Sequence, residues 1–342
     1  MAVTIKDVAR VAGVSVATVT RALSTPEVVR PATRDRVREV AASLGYHPNR
    51  AARGLITGRT GNLGLLVPDL ANPFFPGIVK GVQARAREAD HAVFLADTDE
   101  DPAAEATLVR RLAKQVDGLV VCSPRMADAE LRRLAGEVPM VLVYRRIPGI
   151  PSVTAGFLDG MRQAVGHLVA LGHRRIAYVA GPKTSWANRE RLRSLRAVVR
   201  TADVDLVEVG NVMPRFEGGV SAADRVLAAS VTSVIAYNDL VAIGLLHRFA
   251  ARGVPVPAGM SVLGFDDIPL AAMVHPALTT VALPQNRAGQ AGVDLLLQLL
   301  DQPAPHTGPR RDQPAPHMGT HAGTRRELPT HLMVRGSTTS VH

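Results

Sequence analysis

From residue 62 onward, short apolar runs alternate with longer amphipathic stretches, and this alternation limits the possible folds more than any other feature. The runs have the length of buried strands, and the stretches between them carry apolar residues at helical spacing. The expected strands are 63–67, 92–96, 118–122, 140–143, 176–180, 206–209, 234–236 and 261–265. The expected helices are 77–89, 103–115, 159–171, 188–202, 217–229 and 239–251. Strands joined by helices predict parallel sheets with helices on both faces, and their number suits two similar α/β lobes.

The sequence ahead of this region has a different charge. A chain of 342 residues is too long for one hydrophobic core, so we expect at least two domains. Residues 1–60 contain ten Lys and Arg against four Asp and Glu, whereas residues 61–301 contain 25 against 24. Positive charge concentrated ahead of a nearly neutral body predicts a small module that binds a polyanion.

Cysteine content and hydropathy indicate the cellular compartment of the protein. Cys122 is the single cysteine, which excludes an internal disulfide. Apolar runs such as "GLVVC" are shorter than a membrane span, and "MAVTIKDVAR" lacks the apolar segment of a secretory signal. We therefore expect a cytoplasmic protein with no membrane partner.

The stretch "TIKDVARVAGVSVATVTRAL" predicts two short helices joined by a tight turn. Thr4 can cap the first helix, Gly13 ends it, and Ser15 can cap a second helix at 16–23. With a third helix expected at 32–44, this is the helix-turn-helix arrangement that places its second helix in the major groove of DNA. The alternative is an ordinary helical bundle whose arginines only solvate it.

The same stretch, followed by "RVREVAASLGYHPNRAARGL", resembles the DNA-binding head of the lactose-repressor (LacI/GalR) family. The resemblance implies a regulator that binds duplex DNA and reads bases with Val16, Ala17 and Arg21. Arg21 can pair with guanine through two hydrogen bonds, and the small side chains allow apolar contact with a thymine methyl group. Contacts with the DNA backbone are implied for Thr4, Ser15, Thr18, Thr20, Arg50 and Arg53.

The segment "NRAARGLITG", residues 49–58, contains Leu55 without an apolar stripe around it. In the LacI/GalR family this segment is a hinge that folds on operator DNA. The resemblance implies that Leu55 is a wedge in the minor groove, where unstacked bases would bury it. The alternative is a flexible linker whose leucine packs on the next domain.

Polar or aromatic residues follow most of the expected strands, where open parallel sheets bind ligands. Segments such as "VPDLANPFF", "RERL" and "GFDD" resemble, in order, the regulatory core of the same family. That core is periplasmic-binding-protein-like (type I), with two lobes that close over a small molecule. The resemblance implies an effector-binding set of Asn72, Phe74, Phe75, Trp186, Arg191, Asn238, Asp239 and Asp266. Carboxylates, a guanidinium and aromatic faces together suit a sugar or related polyol.

Several of these residues have alternative interpretations. Asp239 could serve as a helix N-cap, Trp186 as a packing residue and Asp267 as a turn residue. Pro214 stands where many relatives have a pocket aromatic residue, and Ser194 replaces a common glycine. The pocket floor is therefore expected to differ from that of the best-known members.

The expected organisation is a helix-turn-helix domain at 1–48, a hinge at 49–60 and an effector-binding core at 61–342. Lobe 1 is expected at 61–157 and 284–301, and lobe 2 at 158–283 and 328–338. The sequence "DQPAPH" occurs twice in a Pro- and His-rich stretch, which predicts a disordered insertion at 302–327. The histidines of this region (His306, His317, His321, His331) lack the rigid spacing of a metal site, so we expect no metal or cofactor.

The whole pattern predicts a homodimeric repressor that binds a palindromic operator and responds to a small molecule. The first-lobe helix at 77–89 is the expected dimer interface. No enzymatic activity is expected, because the sequence contains neither a glycine-rich phosphate loop nor a recognisable nucleophile and base. The alternatives are a sugar-binding transport protein or an α/β sugar-active enzyme that carries a basic head.

Overall fold

The structure, a computed structural model, describes residues 3–24, 26–46, 59–302 and 323–341. Internal contacts divide the chain into two compact units, Met1–Gly61 and Asn62–His342. No helix within the described ranges is long and apolar enough to cross a lipid bilayer.

The first unit contains the helices α1 (Ile5–Ala12), α2 (Val16–Ser24) and α3 (Pro31–Ser43). Buried aliphatic residues of all three helices form one small core: Val8, Ala9, Ala12, Val19, Ala22, Val37 and Ala41. Gly13 ends α1 with a φ of 65°, a conformation that favours glycine. The Ser15 hydroxyl accepts a hydrogen bond from the Thr18 backbone N–H at 3.1 Å, which confirms Ser15 as the cap of α2.

The first lobe of the second unit contains a six-stranded sheet. Its strands are β1 (Asn62–Val67), β2 (Ala92–Asp97), β3 (Gly118–Cys122), β4 (Met140–Val143), β5 (Ser152–Ala155) and β11 (Arg325–Leu328). Their order is β11-β5-β4-β3-β1-β2, and all neighbours are parallel. The surrounding helices are α4 (Phe74–Glu88), α5 (Pro102–Leu112), α6 (Asp128–Ala135) and α12 (Gln285–Leu300). Strands β3 to β5 are buried along their whole length, as expected for parallel strands covered on both faces.

The second lobe repeats this architecture. Its strands are β6 (Arg175–Ala180), β7 (Asp205–Asn211), β8 (Ser233–Ala236), β9 (Ser261–Asp266), β10 (Thr279–Ala282) and β12 (His331–Met333). The order is β12-β10-β9-β8-β6-β7, and only β12 pairs antiparallel with its neighbour in the described sheet. The helices are α7 (Phe157–Ala170), α8 (Trp186–Ala202), α9 (Phe216–Ala228), α10 (Asp239–Ala251) and α11 (Pro269–Met273). The expected fold class, a helical head with an α/β core of two parallel-sheet lobes, is confirmed.

The end of the chain differs from the expectation in two ways. The predicted insertion at 302–327 is too long, because Arg325–Leu328 forms β11 and pairs in parallel with β5. The second lobe, expected to resume at 328, also resumes later, because Leu328 ends β11 in the first sheet and only His331–Met333 pairs with β10 in the second. Exposed and half-buried residues alternate along β11, so its sequence has no apolar run that would reveal a strand. The remaining insertion residues, 303–322, include His306, His317 and His321 and lie outside the described residues.

Candidate functional site

Helix α2 presents the predicted base-reading residues on its outer face. Val19 and Ala22 are buried against α1 and α3, which leaves Val16, Ala17 and Arg21 exposed on the opposite side. Val16 is 40% exposed although it is aliphatic. An exposed surface of two small apolar side chains and one guanidinium suits direct contact with base edges in a major groove.

The hydroxyl groups predicted to contact the DNA backbone also form hydrogen bonds within the helical head. The Thr4 hydroxyl donates to the Asp7 carboxylate at 2.7 Å, and the hydroxyls of Ser15 and Thr18 lie 2.9 Å apart. The Thr20 hydroxyl donates to the Val16 carbonyl at 3.0 Å. Their contact with phosphate stays a prediction, and the predicted hinge residues Arg50, Arg53 and Leu55 lie outside the described residues.

In the second unit, the carboxyl ends of the strands of both lobes face one cleft. Its first-lobe lining consists of Asn72, Phe74, Phe75, Glu100, Ser123, Arg125 and Tyr144. Its second-lobe lining consists of Ala187, Arg191, Pro214, Tyr237, Asn238 and Asp266. The cavity between them has a volume of about 20 Å³. Six of the eight predicted effector-binding residues therefore meet in one place.

Arg191 and Asp266 form a buried ion pair on the second-lobe side. Arg191 donates to Asp266 Oδ1 at 2.9 Å and to the Tyr237 carbonyl at 2.5 Å. Its guanidinium carbon lies 4.1 Å from the Phe265 ring centroid, a cation–π contact. Burial raises the pKa of Asp266 to about 6, although the Arg191 charge acts in the opposite direction. Asp266 also has a φ of 121°, and strain of this kind in a residue other than glycine is concentrated at functional sites.

A second buried ion pair lies on the first-lobe side. The Arg125 guanidinium binds both carboxylate oxygens of Glu100, at 2.6 and 2.8 Å, and donates to the Ser123 carbonyl at 2.7 Å. Glu105 fixes the loop behind it by accepting the backbone N–H groups of Arg125 and Met126. Burial raises the pKa of Glu105, while these two hydrogen bonds lower it.

Two polar atoms of the cleft are buried without a hydrogen-bond partner in the described structure. They are the Tyr144 hydroxyl in the first lobe and Arg191 Nε in the second. Buried polar groups are rarely left unpaired, so both atoms are available for hydrogen bonds with a polar ligand in the cleft. The four charged residues of the lining form the two ion pairs described above, which leaves the lining without net formal charge. The cleft therefore suits a neutral polar molecule.

Asp239 does not line the cleft, contrary to its predicted role as an effector contact. It is fully buried and accepts hydrogen bonds from the Thr280 hydroxyl at 2.6 Å and the Ile268 N–H at 2.8 Å. Burial, and to a lesser extent the nearby Asp266 carboxylate, raise its pKa to about 7. Asn238 does line the cleft, but it also caps α10 through the Val241 N–H and donates to the Pro214 carbonyl. Asp239 thus supports the loop behind Asp266.

Trp186 is also outside the cleft lining, contrary to its predicted role as a stacking surface for a sugar. It is the first residue of α8, is partly buried, and its ring centroid lies 6.1 Å from that of Phe157 in an edge-to-face contact. The next residue, Ala187, is the one that reaches the cleft. Phe74 and Phe75 supply the aromatic surface instead.

Sequence reasoning missed Glu100, Ser123, Arg125, Tyr144 and Tyr237. All five lie within a few residues of a strand end, in segments whose polar or aromatic character is visible in the sequence. Their position just after a strand is the sequence feature that could have identified them. This position does not distinguish residues that face the cleft from residues that support it.

A larger cavity of about 710 Å³ lies elsewhere, between α9, α10 and the loops after them. Its lining is mostly apolar and includes Phe216, Ile243 and Leu246. It lacks buried ion pairs and is not at the carboxyl ends of the strands, so we assign the functional site to the smaller cleft. Among the described residues, no group of three or more His, Cys, Asp or Glu could hold a metal ion.

Comparison with known proteins finds a matching family pattern for each of the two units. The pattern described as bacterial regulatory proteins of the lacI family matches residues 4–49, and that of a periplasmic binding protein-like domain matches residues 165–338. The HTH-type transcriptional regulator GalS of Salmonella typhimurium (strain LT2) is 34% identical over 304 residues, which are 86% of this chain and 89% of GalS.

Two solved structures extend the comparison over nearly the whole chain. The Lac repressor dimer bound to operator and the anti-inducer ONPF has a TM-score of 0.83 and 28% identity, and covers 99% of this chain and 100% of its own. The complex of the transcriptional regulator CelR with cellobiose has a TM-score of 0.68 and 31% identity, with coverage of 98% and 99%.

Proposed function

The chain belongs to the lacI family of bacterial regulatory proteins, which are DNA-binding transcriptional regulators, and from this membership we propose how it works. It is a homodimeric repressor of a palindromic operator. A neutral polyol, a sugar or a close relative, binds in the cleft and controls the affinity for the operator.

The chemistry of the cleft is the observation that carries the effector assignment. Two paired guanidinium–carboxylate contacts leave no net charge for an anionic ligand to neutralise. The unpaired Tyr144 hydroxyl and Arg191 Nε offer hydrogen bonds to hydroxyl groups from opposite lobes. The similar transcriptional regulator CelR was solved in complex with cellobiose. This similarity supports a sugar as the ligand of the cleft.

The first unit supports the DNA-binding part of the proposal. Helix α2 is fixed by its own cap and core and presents Val16, Ala17 and Arg21 outward. The similar Lac repressor is bound to operator as a dimer, and two heads related by a twofold axis would read the two halves of a palindrome.

The described residues offer an alternative to the helix that was expected at the dimer interface. The exposed side of α4 presents Lys80, Gln83 and Arg87, because its apolar side packs on α12. The edge strand β2 instead exposes Phe94 and Leu95 by 36% and 38%. Exposed apolar side chains on an unpaired strand edge favour β2 over α4 as part of the interface.

Leu55 remains the proposed wedge in the minor groove. The change Leu55→Ala removes apolar volume that only a specific, bent complex would bury. We expect it to weaken binding to the operator more than binding to unrelated duplex DNA, measured by fluorescence anisotropy. Equal losses on both duplexes would contradict the wedge.

The function as a whole is tested in two steps with the full-length protein. Selection from a random duplex library should enrich one palindromic sequence, and a thermal-shift panel of sugars and nucleosides should then identify a stabilising ligand. Addition of that ligand should change the affinity for the selected duplex. A library without enrichment would overturn the DNA-binding assignment, and stabilisation only by anionic ligands would overturn the effector assignment.

A further inference from the structure

Arg215, the residue before α9 in the second lobe, binds two carboxylates of the first lobe. Its Nε donates to Asp69 Oδ2 at 3.0 Å, and a terminal nitrogen of its guanidinium contacts Asp99 Oδ1. Asp69 follows β1 and Asp99 follows β2, at the edge where the strands face the cleft. These two contacts are the ion pairs between lobes within the described part of the chain.

The carboxylate partners are held in place by their own loops. Asp69 is nearly buried and accepts a second hydrogen bond from the Ala71 N–H at 2.8 Å. Asp99 has a φ of 49° and donates its N–H to Asp97 Oδ1 at 2.9 Å. The next residue, Glu100, binds Arg125 in the cleft lining. One loop therefore carries both a cleft residue and a contact to the opposite lobe.

Arg215 has no evident role in its own helix. It occupies the N-cap position of α9 but makes no capping hydrogen bond with its side chain. Ser, Thr, Asp or Asn would satisfy the free N–H groups at this position, and arginine does not. The long side chain instead extends across the cleft, next to Pro214 in the lining.

Opening of the cleft must break these contacts. A cavity of about 20 Å³ has room for roughly one water molecule, so a sugar enters only after the lobes separate. Arg215 and Asp69 lie on different lobes, and their separation would remove the hydrogen bonds that hold them together.

We propose that Arg215, with Asp69 and Asp99, is an ionic latch across the cleft. The Arg215 latch shifts the lobes toward the closed arrangement without effector and thereby reduces access to the cleft. Partly exposed ion pairs are weak and salt-dependent, so ionic strength adjusts the equilibrium without abolishing it. Reduced access of the effector to the cleft rests on the proposed function, whereas the shift of the lobes toward the closed arrangement does not.

The test measures the distance between the lobes in the full-length protein by pulsed spin-label spectroscopy. The labels are attached to Arg111→Cys and Arg225→Cys, exposed positions on α5 and α9, and the native Cys122 is buried. In low salt, Arg215→Ala should increase the population of the longer distance roughly three- to tenfold. Arg248→Ala is the matched control, because its ion pair with Asp224 lies entirely within the second lobe.

Salt and a double variant complete the test. Added sodium chloride should increase the population of the longer distance between the lobes in the wild type but not in Arg215→Ala. Asp69→Asn combined with Asp99→Asn should reproduce the effect of Arg215→Ala, and the triple variant should add nothing. An unchanged distance distribution in Arg215→Ala, or an equal change in Arg248→Ala, would overturn the latch. No sugar is present, so a failure of the proposed effector function leaves this result unaffected.

Discussion

At the scale of single residues, the cleft combines satisfied charges with unsatisfied polar atoms. The two buried arginines of the cleft, Arg125 and Arg191, have carboxylate partners, so neither needs a ligand for charge compensation. The Tyr144 hydroxyl and Arg191 Nε are the atoms that gain most from a ligand, because their desolvation is uncompensated. This division supports the proposed specificity for a neutral polyol.

The change Tyr144→Phe should weaken ligand binding without lowering the stability of the fold. Removal of an unpaired hydroxyl should leave the free energy of unfolding unchanged or slightly raised, since no hydrogen bond is lost. Affinity for the sugar identified in the thermal-shift panel should fall roughly three- to tenfold, measured by calorimetry. Tyr178→Phe is the control, because Tyr178 is equally buried but lies outside the cleft lining. Unchanged affinity in Tyr144→Phe would remove the hydroxyl from the effector site.

Arg21→Ala tests the base-reading surface of α2. The side chain is exposed and distant from the head core, so the fold should remain intact. We expect a loss of about 1–3 kcal/mol in operator binding and a relaxed preference at one base-pair position, measured on a set of single-substitution duplexes. Arg36→Ala, exposed on α3, is a control for loss of charge alone. A uniform loss across all duplexes in Arg21→Ala would mean that Arg21 contacts phosphate.

At the scale of elements, glycines determine how closely α9 and α10 pack. A Cβ atom on Gly244 would lie 2.1 Å from the Phe216 carbonyl oxygen, and one on Gly219 would lie 2.0 Å from that of Val241. Neither backbone oxygen can move without separating the helices. The crossing therefore requires glycine on both sides.

Gly244→Ala should lower the free energy of unfolding by about 1–3 kcal/mol, because the added methyl group forces the helices apart. Gly166→Ala is a matched control in α7, where a Cβ atom would meet nothing within 4 Å. There the same change should stabilise the protein by about 0.5–1 kcal/mol through helix propensity. Chemical denaturation measures both, and equal effects of the two changes would contradict the close approach.

His173 attaches the last residues of the chain to the second lobe. Its Nδ1 lies 2.7 Å from the Thr232 hydroxyl, and its Nε2 donates to the Thr339 carbonyl at 3.1 Å. Burial lowers the pKa of His173, so the unfolded chain binds a proton more readily than the folded one. This contribution to stability is complete above the ordinary value of 6.5 and is lost as the pH falls below it.

Replacement of His173 by glutamine should therefore flatten the pH dependence of unfolding. Between pH 7 and 5, the wild type should lose more stability than His173→Gln, because the amide keeps polar contacts but binds no proton. Denaturation at a series of pH values gives the comparison, with the exposed His331→Gln as control. Parallel curves for wild type and His173→Gln would contradict the assignment.

The elements that could be predicted from sequence are those with continuous apolar runs. The runs at 63–67 and 118–122 correspond to β1 and β3 because both faces of these strands are buried. Strand β5 was missed because Ser152 and Thr154 interrupt its apolar run, and β10 because it begins with two threonines whose polarity is concealed by pairing. Thr280, for example, is fully buried and donates to Asp239. Such pairing depends on distant residues and has no local signal.

At the scale of the whole molecule, the two-lobed architecture could be predicted from the strand ends and the family resemblance, and six of the eight predicted effector residues line the cleft. The exceptions, Trp186 and Asp239, are adjacent to lining residues, Ala187 and Asn238. A helix start places neighbouring side chains about 100° apart, so one faces the cleft and the next faces the core. Contacts between lobes, including those of Arg215, depend on closure and leave no pattern in the sequence.

In the proposed function, binding of the effector in the cleft is coupled to binding of operator by the DNA-binding head. Coupling between two binding equilibria is reciprocal, so the factor by which the sugar changes operator affinity must equal the factor by which operator changes sugar affinity. Titration of the full-length protein with the selected duplex, with and without saturating sugar, gives the first factor. Titration with the sugar, with and without duplex, gives the second. We expect the same change in both directions, about five- to 150-fold, whereas an unchanged operator affinity while the sugar is demonstrably bound would contradict the account.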